Sequence, residues 1–292
     1  ENPVPLDEDH TGGEGPSMLP DAFDLAGRVA LVTGAGSPDG IGFATARLLG
    51  ELGASVALTA TTDRAYDRAA ELRDHGVDAL GVVADLTAEE EVRRCVRTVD
   101  EELGVVTVLV NNAGMTSLAA PALEVGGGSE SGGVLDTTPA AWHASLRRNL
   151  DTAFLTTRAV LPGMLERGGG VIVNVASVAG LRGGRAGAAY TASKHGVLGL
   201  TRALAIELVP YHITVNAVCP GYVDTPMTQN VDTGAEQVTD VEIAADKIIK
   251  GLKSNRFEIT FPFVSSRGFR LVSMLPRWLS FRMLRAREDM KK

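Results

Sequence analysis

Val29-Ala30-Leu31-Val32-Thr33-Gly34-Ala35-Gly36-Ser37-Pro38-Asp39-Gly40-Ile41-Gly42 is the stretch from which the fold is read. A short apolar, β-rich run passes directly into a glycine-rich turn, and a segment of helix length, Ile41–Leu52, follows. Glycines in such a turn let the backbone approach a pyrophosphate, which the positive N-terminal end of the next helix stabilises. A lone glycine-rich turn is weak evidence, and a plain strand-to-helix turn without a ligand is the competing reading. Its position after a first strand and before a helix gives it weight.

Outward from this turn, apolar β-rich runs alternate with helix-length segments. The runs are Val29–Thr33, Ser55–Ala60, Ala79–Ala84, Thr107–Val110, Val171–Ala176 and Ile213–Val218, with Arg64–Asp74 and Glu89–Leu103 among the intervening segments. Strand and helix repeated in this order predict a parallel sheet with helices on both faces. Near-continuous apolar strands suit a sheet buried on both sides. Arg256–Phe261 offers a seventh strand, preceded by a helix over Asp240–Leu252. The expected fold class is α/β, a Rossmann-type doubly wound parallel sheet of about seven strands in a three-layer sandwich. One domain over 25–262 is expected, interrupted by a Gly/Ser-rich insertion at 119–133. An acidic, disordered leader (1–24) and a basic amphipathic tail (263–292) flank it.

Bulk composition narrows the function classes. Hydrophobic residues make up 45% of the 292, enough for one sizeable core. A net charge of −8 argues against nucleic acid as a partner. Cys95 and Cys219 are the only cysteines, so neither a disulfide framework nor a CxxC metal pattern exists. No metal site is expected, and a reducing cytoplasm is the expected compartment. No apolar run approaches the roughly 18 residues that span a bilayer. From Lys247 onward twelve Lys/Arg face three acids, so this end carries about +9 and the rest about −17. Such a tail can lie on an anionic membrane surface, but packing on the body or on a partner subunit is preferred.

Tyr190-Thr191-Ala192-Ser193-Lys194 places a phenol and an ammonium four residues apart, on one helix face. A nearby ammonium favours the phenolate and is expected to draw the tyrosine below its usual value of about 10. Alone, such a pair is ordinary helix surface. Lys194, however, is the only lysine in the first 246 residues of a chain that otherwise uses arginine. Lysine is a compact point charge able to reach a sugar hydroxyl, where arginine is bulkier and forked.

With these residues assembled, the sequence resembles the short-chain dehydrogenases/reductases, in the pattern of the 3-oxoacyl-carrier-protein reductases. The resemblance covers roughly Leu25 to Thr225. It rests on the glycine turn, Asp85, Asn111-Asn112-Ala113-Gly114, Asn149, Ser177, Tyr190-x-x-x-Lys194 and Pro220-Gly221-x-x-x-Thr225. It implies that Ser177 and Tyr190 hydrogen-bond a substrate carbonyl, with Tyr190 as general acid/base. Lys194 would lower the tyrosine pKa and bind the nicotinamide ribose, and Asn149 would hold a water linking Lys194 to solvent. Implied cofactor contacts are Gly34, Gly36, Ser37, Gly40 and Ile41 in the turn, then Thr61 and Thr62 after the second strand. Asp85 and Leu86 would lie at the adenine. Asn112, Ala113 and Gly114 would line the cleft, and Pro220, Gly221, Val223 and Thr225 would border the nicotinamide, with Thr225 on its carboxamide.

The chain departs from this pattern in three places. Five residues separate Gly34 from Gly40 where three are usual, so Pro38-Asp39 looks inserted on the adenosine side of the cofactor. The insertion at 119–133 either covers the substrate entrance or is a surface loop. The tail lacks the usual Thr-Gly and Asp-Gly-Gly. An acid at the end of the second strand would hold the ribose hydroxyl of NAD(H), but Ala60 stands there, with Thr61, Thr62 and Arg64 able to donate to a 2′-phosphate. Asp39 speaks against that. The expectation is NADP(H)-linked reduction of a ketone to a secondary alcohol, in a homodimer or homotetramer. The alternatives are an NAD-dependent secondary alcohol dehydrogenase and a cofactor-binding scaffold without turnover.

Overall fold

The computed structural model describes residues 24–114, 133–183, 187–228, 237–253 and 256–262. The expectations for the leader, the insertion and the tail fall outside them, apart from Asp24 and Gly133.

Seven strands form one sheet: β1 (Val29–Val32), β2 (Ser55–Ala60), β3 (Ala79–Val83), β4 (Val108–Asn111), β5 (Gly170–Val175), β6 (Ile213–Pro220) and β7 (Glu258–Phe261). Every pairing is parallel, in the order β3-β2-β1-β4-β5-β6-β7. The helices are α1 (Ile41–Glu51), α2 (Arg64–Asp74), α3 (Glu89–Glu102), α4 (Pro139–Leu146), α5 (Thr152–Arg167), α6 (Ala188–Glu207) and α7 (Val241–Lys253).

Strand side chains alternate between two separate cores, which is why the strands read as unbroken apolar runs. Ala30 and Val32 of β1 join Phe43, Ala69 and Ile248 from α1, α2 and α7. Their neighbours Val29 and Leu31 face the opposite core with Val99 and Val160 from α3 and α5. A third, smaller cluster sets Ala176 and Cys219 against Val197 and Leu198 of α6. Each fully buried Leu or Val contributes about 1.5–3 kcal/mol.

The connections run from β1 outward to β3, then return to β4 on the other side of β1. At that reversal the crossover helices diverge and leave a crevice at the carboxyl ends of the strands. The expected seventh strand and its preceding helix are both present.

Between β4 and β5 the chain stays helical but changes pitch. Thr138 caps α4 by accepting from the Ala141 N–H (3.1 Å), with Pro139 in the first turn. Arg147–Asp151 then opens into a π-turn before α5 begins, and Asn149 sits inside it. Such single-turn widenings shift the register of the following side chains and recur at functional sites.

Beneath the crevice lies a buried polar network. Asn111 Nδ2 donates to Asn174 Oδ1 (2.9 Å), to Thr157 Oγ1 (3.0 Å) and to the Ala153 carbonyl (3.3 Å). Thr156 donates to Asn111 Oδ1, and Asn174 Nδ2 donates to Thr201 Oγ1 (3.0 Å). Two strands and the helices α5 and α6 are thereby held to one another.

Candidate active site

The glycine turn leaves β1 at Thr33. Gly34 has φ +66°, and a Cβ there would lie 2.7 Å from the Ala113 Cα, so only glycine allows β1 and the end of β4 to touch. The two ends are laced together. Thr33 Oγ1 accepts from the Asn112 and Ala113 N–H groups (3.0 Å each), and Asn112 Nδ2 donates to the Thr33 and Gly34 carbonyls (3.0 Å each). Gly40 opens α1 with no side chain capping the first-turn amides, which suits an anionic ligand there.

Ser177 follows β5 in extended conformation, and its hydroxyl accepts from the Ala179 N–H (3.1 Å). The short 3₁₀ turn Val178–Gly180 then lies directly on α6. A Cβ on Gly180 would be 2.7 Å from the Lys194 carbonyl oxygen. This close approach brings Ser177 to Tyr190 on the first turn of α6, where their hydroxyls hydrogen-bond. Lys194, one turn on, is almost wholly buried and donates to the Val175 carbonyl (2.9 Å). Asn149 Nδ2 donates to the Ser145 carbonyl (2.9 Å). A Cβ on Gly114 would lie 2.9 Å from Asn149 Oδ1 and 3.6 Å from Lys194 Nζ, so glycine keeps the space between those two groups open.

Ser177, Tyr190, Lys194 and Asn149 thus line one cleft. Ile41, Asn112 and Gly114 form its wall on the β1/β4 side, and Pro220, Gly221, Val223 and Thr225 form the facing wall. Met227 and Thr228 also line it, within the segment Met227–Thr239 that the sequence marks as one of those shaping the substrate pocket, and so do Val175 and Ala176, to which sequence reasoning gave no site role.

The remaining predicted residues are not among those that line this cleft. Thr61 and Thr62 are exposed beyond β2, and Arg64 Nε donates to Thr62 Oγ1 (3.1 Å). Asp85 is exposed and accepts from the Thr87 N–H (3.0 Å) and hydroxyl (2.8 Å), a local turn. Leu86 is buried with Val82 and Val92, so its side chain serves the core.

Electrostatics differ from the expectation for Tyr190. Burial pushes its phenol above the usual tyrosine value, and the Ser177 hydrogen bond only partly offsets this. The reason is geometric. Lys194 Nζ stands 5.7 Å from the centre of the tyrosine ring and is tied to a strand carbonyl. Burial also weakens the ammonium itself, taking Lys194 down to about 8.

The residues fit a nicotinamide dinucleotide: open amides at the start of α1, a close-packed glycine turn, and a cleft cleared by Gly114 beside Lys194. A family model described as short chain dehydrogenase matches residues 28–236. The chain is 47% identical over 210 residues to a Streptomyces virginiae protein described as a ketoacyl reductase of the monensin polyketide synthase, covering 71% of this chain and 75% of that one. It is 38% identical over 210 residues to a 3-oxoacyl-acyl-carrier-protein reductase of Pseudomonas aeruginosa, covering 72% and 79%. A solved gluconate 5-dehydrogenase from Burkholderia cenocepacia, in complex with NADP and tartrate, superposes with a TM-score of 0.72 at 29% identity, covering 82% of this chain and 95% of that one.

Proposed function

The chain belongs to the short-chain dehydrogenase family of oxidoreductases, and from that premise we propose that it reduces a ketone of the 3-oxoacyl type to a secondary alcohol with NADPH. The observation that carries this reading is the convergence of Ser177, Tyr190, Lys194 and Asn149 in one cleft beside the glycine turn.

When bound, the nicotinamide supplies the hydride. Ser177 and Tyr190 donate hydrogen bonds to the substrate carbonyl oxygen, where negative charge develops. Tyr190 delivers its phenolic proton to that oxygen. A phenol kept above its usual pKa stays protonated at neutral pH, as an acid must. Lys194 stabilises the phenolate left behind, and a water held at Asn149, in the space beside Gly114, would link Lys194 to solvent, from which the proton is replaced.

A pH dependence follows. Burial disfavours the Lys194 ammonium, so the charge is held below about pH 8 and lost above it. Reductive kcat/KM is expected to be level below that value and to fall above it. A profile flat to pH 10 would remove Lys194 from the reaction.

NADPH is preferred because β2 ends on Ala60 rather than on an acid: Ala60 packs on Gly36, and Arg64 and Thr62 flank the same edge. Asp39, exposed in the lengthened turn, is the observation that favours NADH and an alcohol dehydrogenase instead. Titration with each cofactor, read by nicotinamide fluorescence, separates the two. The wild type should prefer NADPH, and Arg64→Glu should lose about 10-fold or more of NADPH affinity, as expected for one charged hydrogen bond. Preference for NADH would turn the reading to alcohol oxidation. Binding of neither cofactor would leave the fold without the activity.

A homodimer or homotetramer belongs to the same proposal. Phe154 and Leu165 on α5 and Ile206 on α6 are exposed apolar residues that a partner subunit would cover. A cytoplasmic setting suits two free, buried cysteines. Among the described residues no helix is long and apolar enough to cross a membrane.

A further inference from the structure

Beyond β6 the wall of the cleft is an irregular segment, and regular backbone pairing cannot hold it. Its outer part is tied to the start of α7: Val223 bridges Thr239, the Asp224 N–H donates to the Thr239 carbonyl (2.9 Å), and the Thr239 N–H donates to the Tyr222 carbonyl (2.9 Å). Among the described residues, the part that faces the cleft, 225–228, has no strand partner. One side chain serves it instead. Thr228 Oγ1 accepts from the Thr225 N–H (3.2 Å) and donates to the Val223 carbonyl, with the Thr225 carbonyl 3.1 Å away. The Thr228 N–H closes the same turn on the Thr225 carbonyl (2.9 Å). Val223, Thr225 and Thr228 all line the cleft.

We infer that Thr228 is a positioning residue: its hydroxyl staples the 223–228 turn in the shape that receives the nicotinamide end of the cofactor. This rests on the oxidoreductase reading above. The chemistry is that of preorganisation. A hydroxyl that accepts one backbone hydrogen bond and donates another fixes two peptide orientations at once, so the ligand need not order them on binding. Thr225 Oγ1 is itself directed at the Val223 carbonyl (3.3 Å). Loss of the staple leaves that bond in place but frees the Thr225 peptide that carries the side chain. The adenosine end would lie by Gly36 and Arg64, which follow β1 and β2, whereas the staple follows β6, on the other side of β4 and β5.

Thr228→Val keeps the side-chain shape and removes both hydrogen bonds, whereas Thr228→Ser keeps them. Three readings on the full chain test the inference. NADPH affinity, by nicotinamide fluorescence, should fall about 10-fold in Thr228→Val and stay within about threefold in Thr228→Ser, the size expected for one or two backbone hydrogen bonds. Affinity for 2′-phospho-ADP-ribose, which lacks the nicotinamide, should be unchanged in both. Amide exchange at Thr225 should quicken in Thr228→Val alone. Equal losses for NADPH and the fragment would mean a general structural defect and overturn the assignment. So would unchanged NADPH affinity with unchanged exchange. Failure of the wild type to bind any nicotinamide cofactor would instead remove the oxidoreductase reading, and the staple would then stand or fall on the exchange rate alone.

Discussion

Tyr190→Phe is expected to lower kcat for ketone reduction by at least about 10³-fold while NADPH affinity stays within about threefold. A positioned general acid contributes about 10²–10⁴-fold, and a donor at the developing oxyanion about 10²–10³-fold. The phenol hydroxyl supplies both. Phenylalanine keeps the ring beside Lys194 and removes only the hydroxyl that bonds Ser177. Ser177 retains the Ala179 N–H, and Lys194 retains the Val175 carbonyl, so the surrounding backbone has no cause to move. Steady-state kinetics and nicotinamide fluorescence on the same preparation check both halves. A variant that keeps a tenth of the wild-type rate would show that the proton comes from another group. A variant that no longer binds NADPH would show that the hydroxyl holds the cofactor rather than the substrate.

The largest effect on stability is expected from Asn111→Leu. The side chain is buried and spends both ends of its amide on β5 and α5. Leucine has similar bulk but strands Asn174 Oδ1 and Thr157 Oγ1 in the interior. Each buried polar group left without a partner costs about 1–3 kcal/mol, so a loss of about 3–5 kcal/mol is expected. For a chain of this size that is a fall in Tm of about 10 °C. Calorimetry or thermal circular dichroism reads it directly. A fall of under about 2 °C would mean that water enters and satisfies the stranded groups. Cofactor affinity should weaken as well, because Asn111 is the last residue of β4 and the cleft-lining Asn112 follows it.

These two residues differ in how openly the chain announces them. Tyr190 stands four residues before the one lysine of the first 246, a local pattern that survives without coordinates. Asn111 was visible only as part of a turn motif. Its partners, Asn174 and Thr157, lie on other elements and carry no local signature. Thr228 is a similar case. Its donor and acceptor sit three and five residues back along irregular chain, where neither helical nor strand periodicity applies. The sign of the tyrosine shift was missed for another reason. Sequence spacing placed the ammonium on the right helix face, but the shift depends on burial and on where Nζ ends up, at a β5 carbonyl.

Local pattern was sufficient for the alternation of strands and helices, the parallel sheet and the glycine turn. Each arises from side-chain period, backbone restriction or composition within a few residues. Folding in three dimensions settled what depends on distant segments meeting. That includes the widening of the helix at Asn149, the seating of Ser177 against α6 through Gly180, the core position of Leu86 and the stapled turn at Thr228. Such contacts pair residues tens of positions apart or within irregular backbone, and their energies come from burial and hydrogen-bond geometry that no short window of sequence contains.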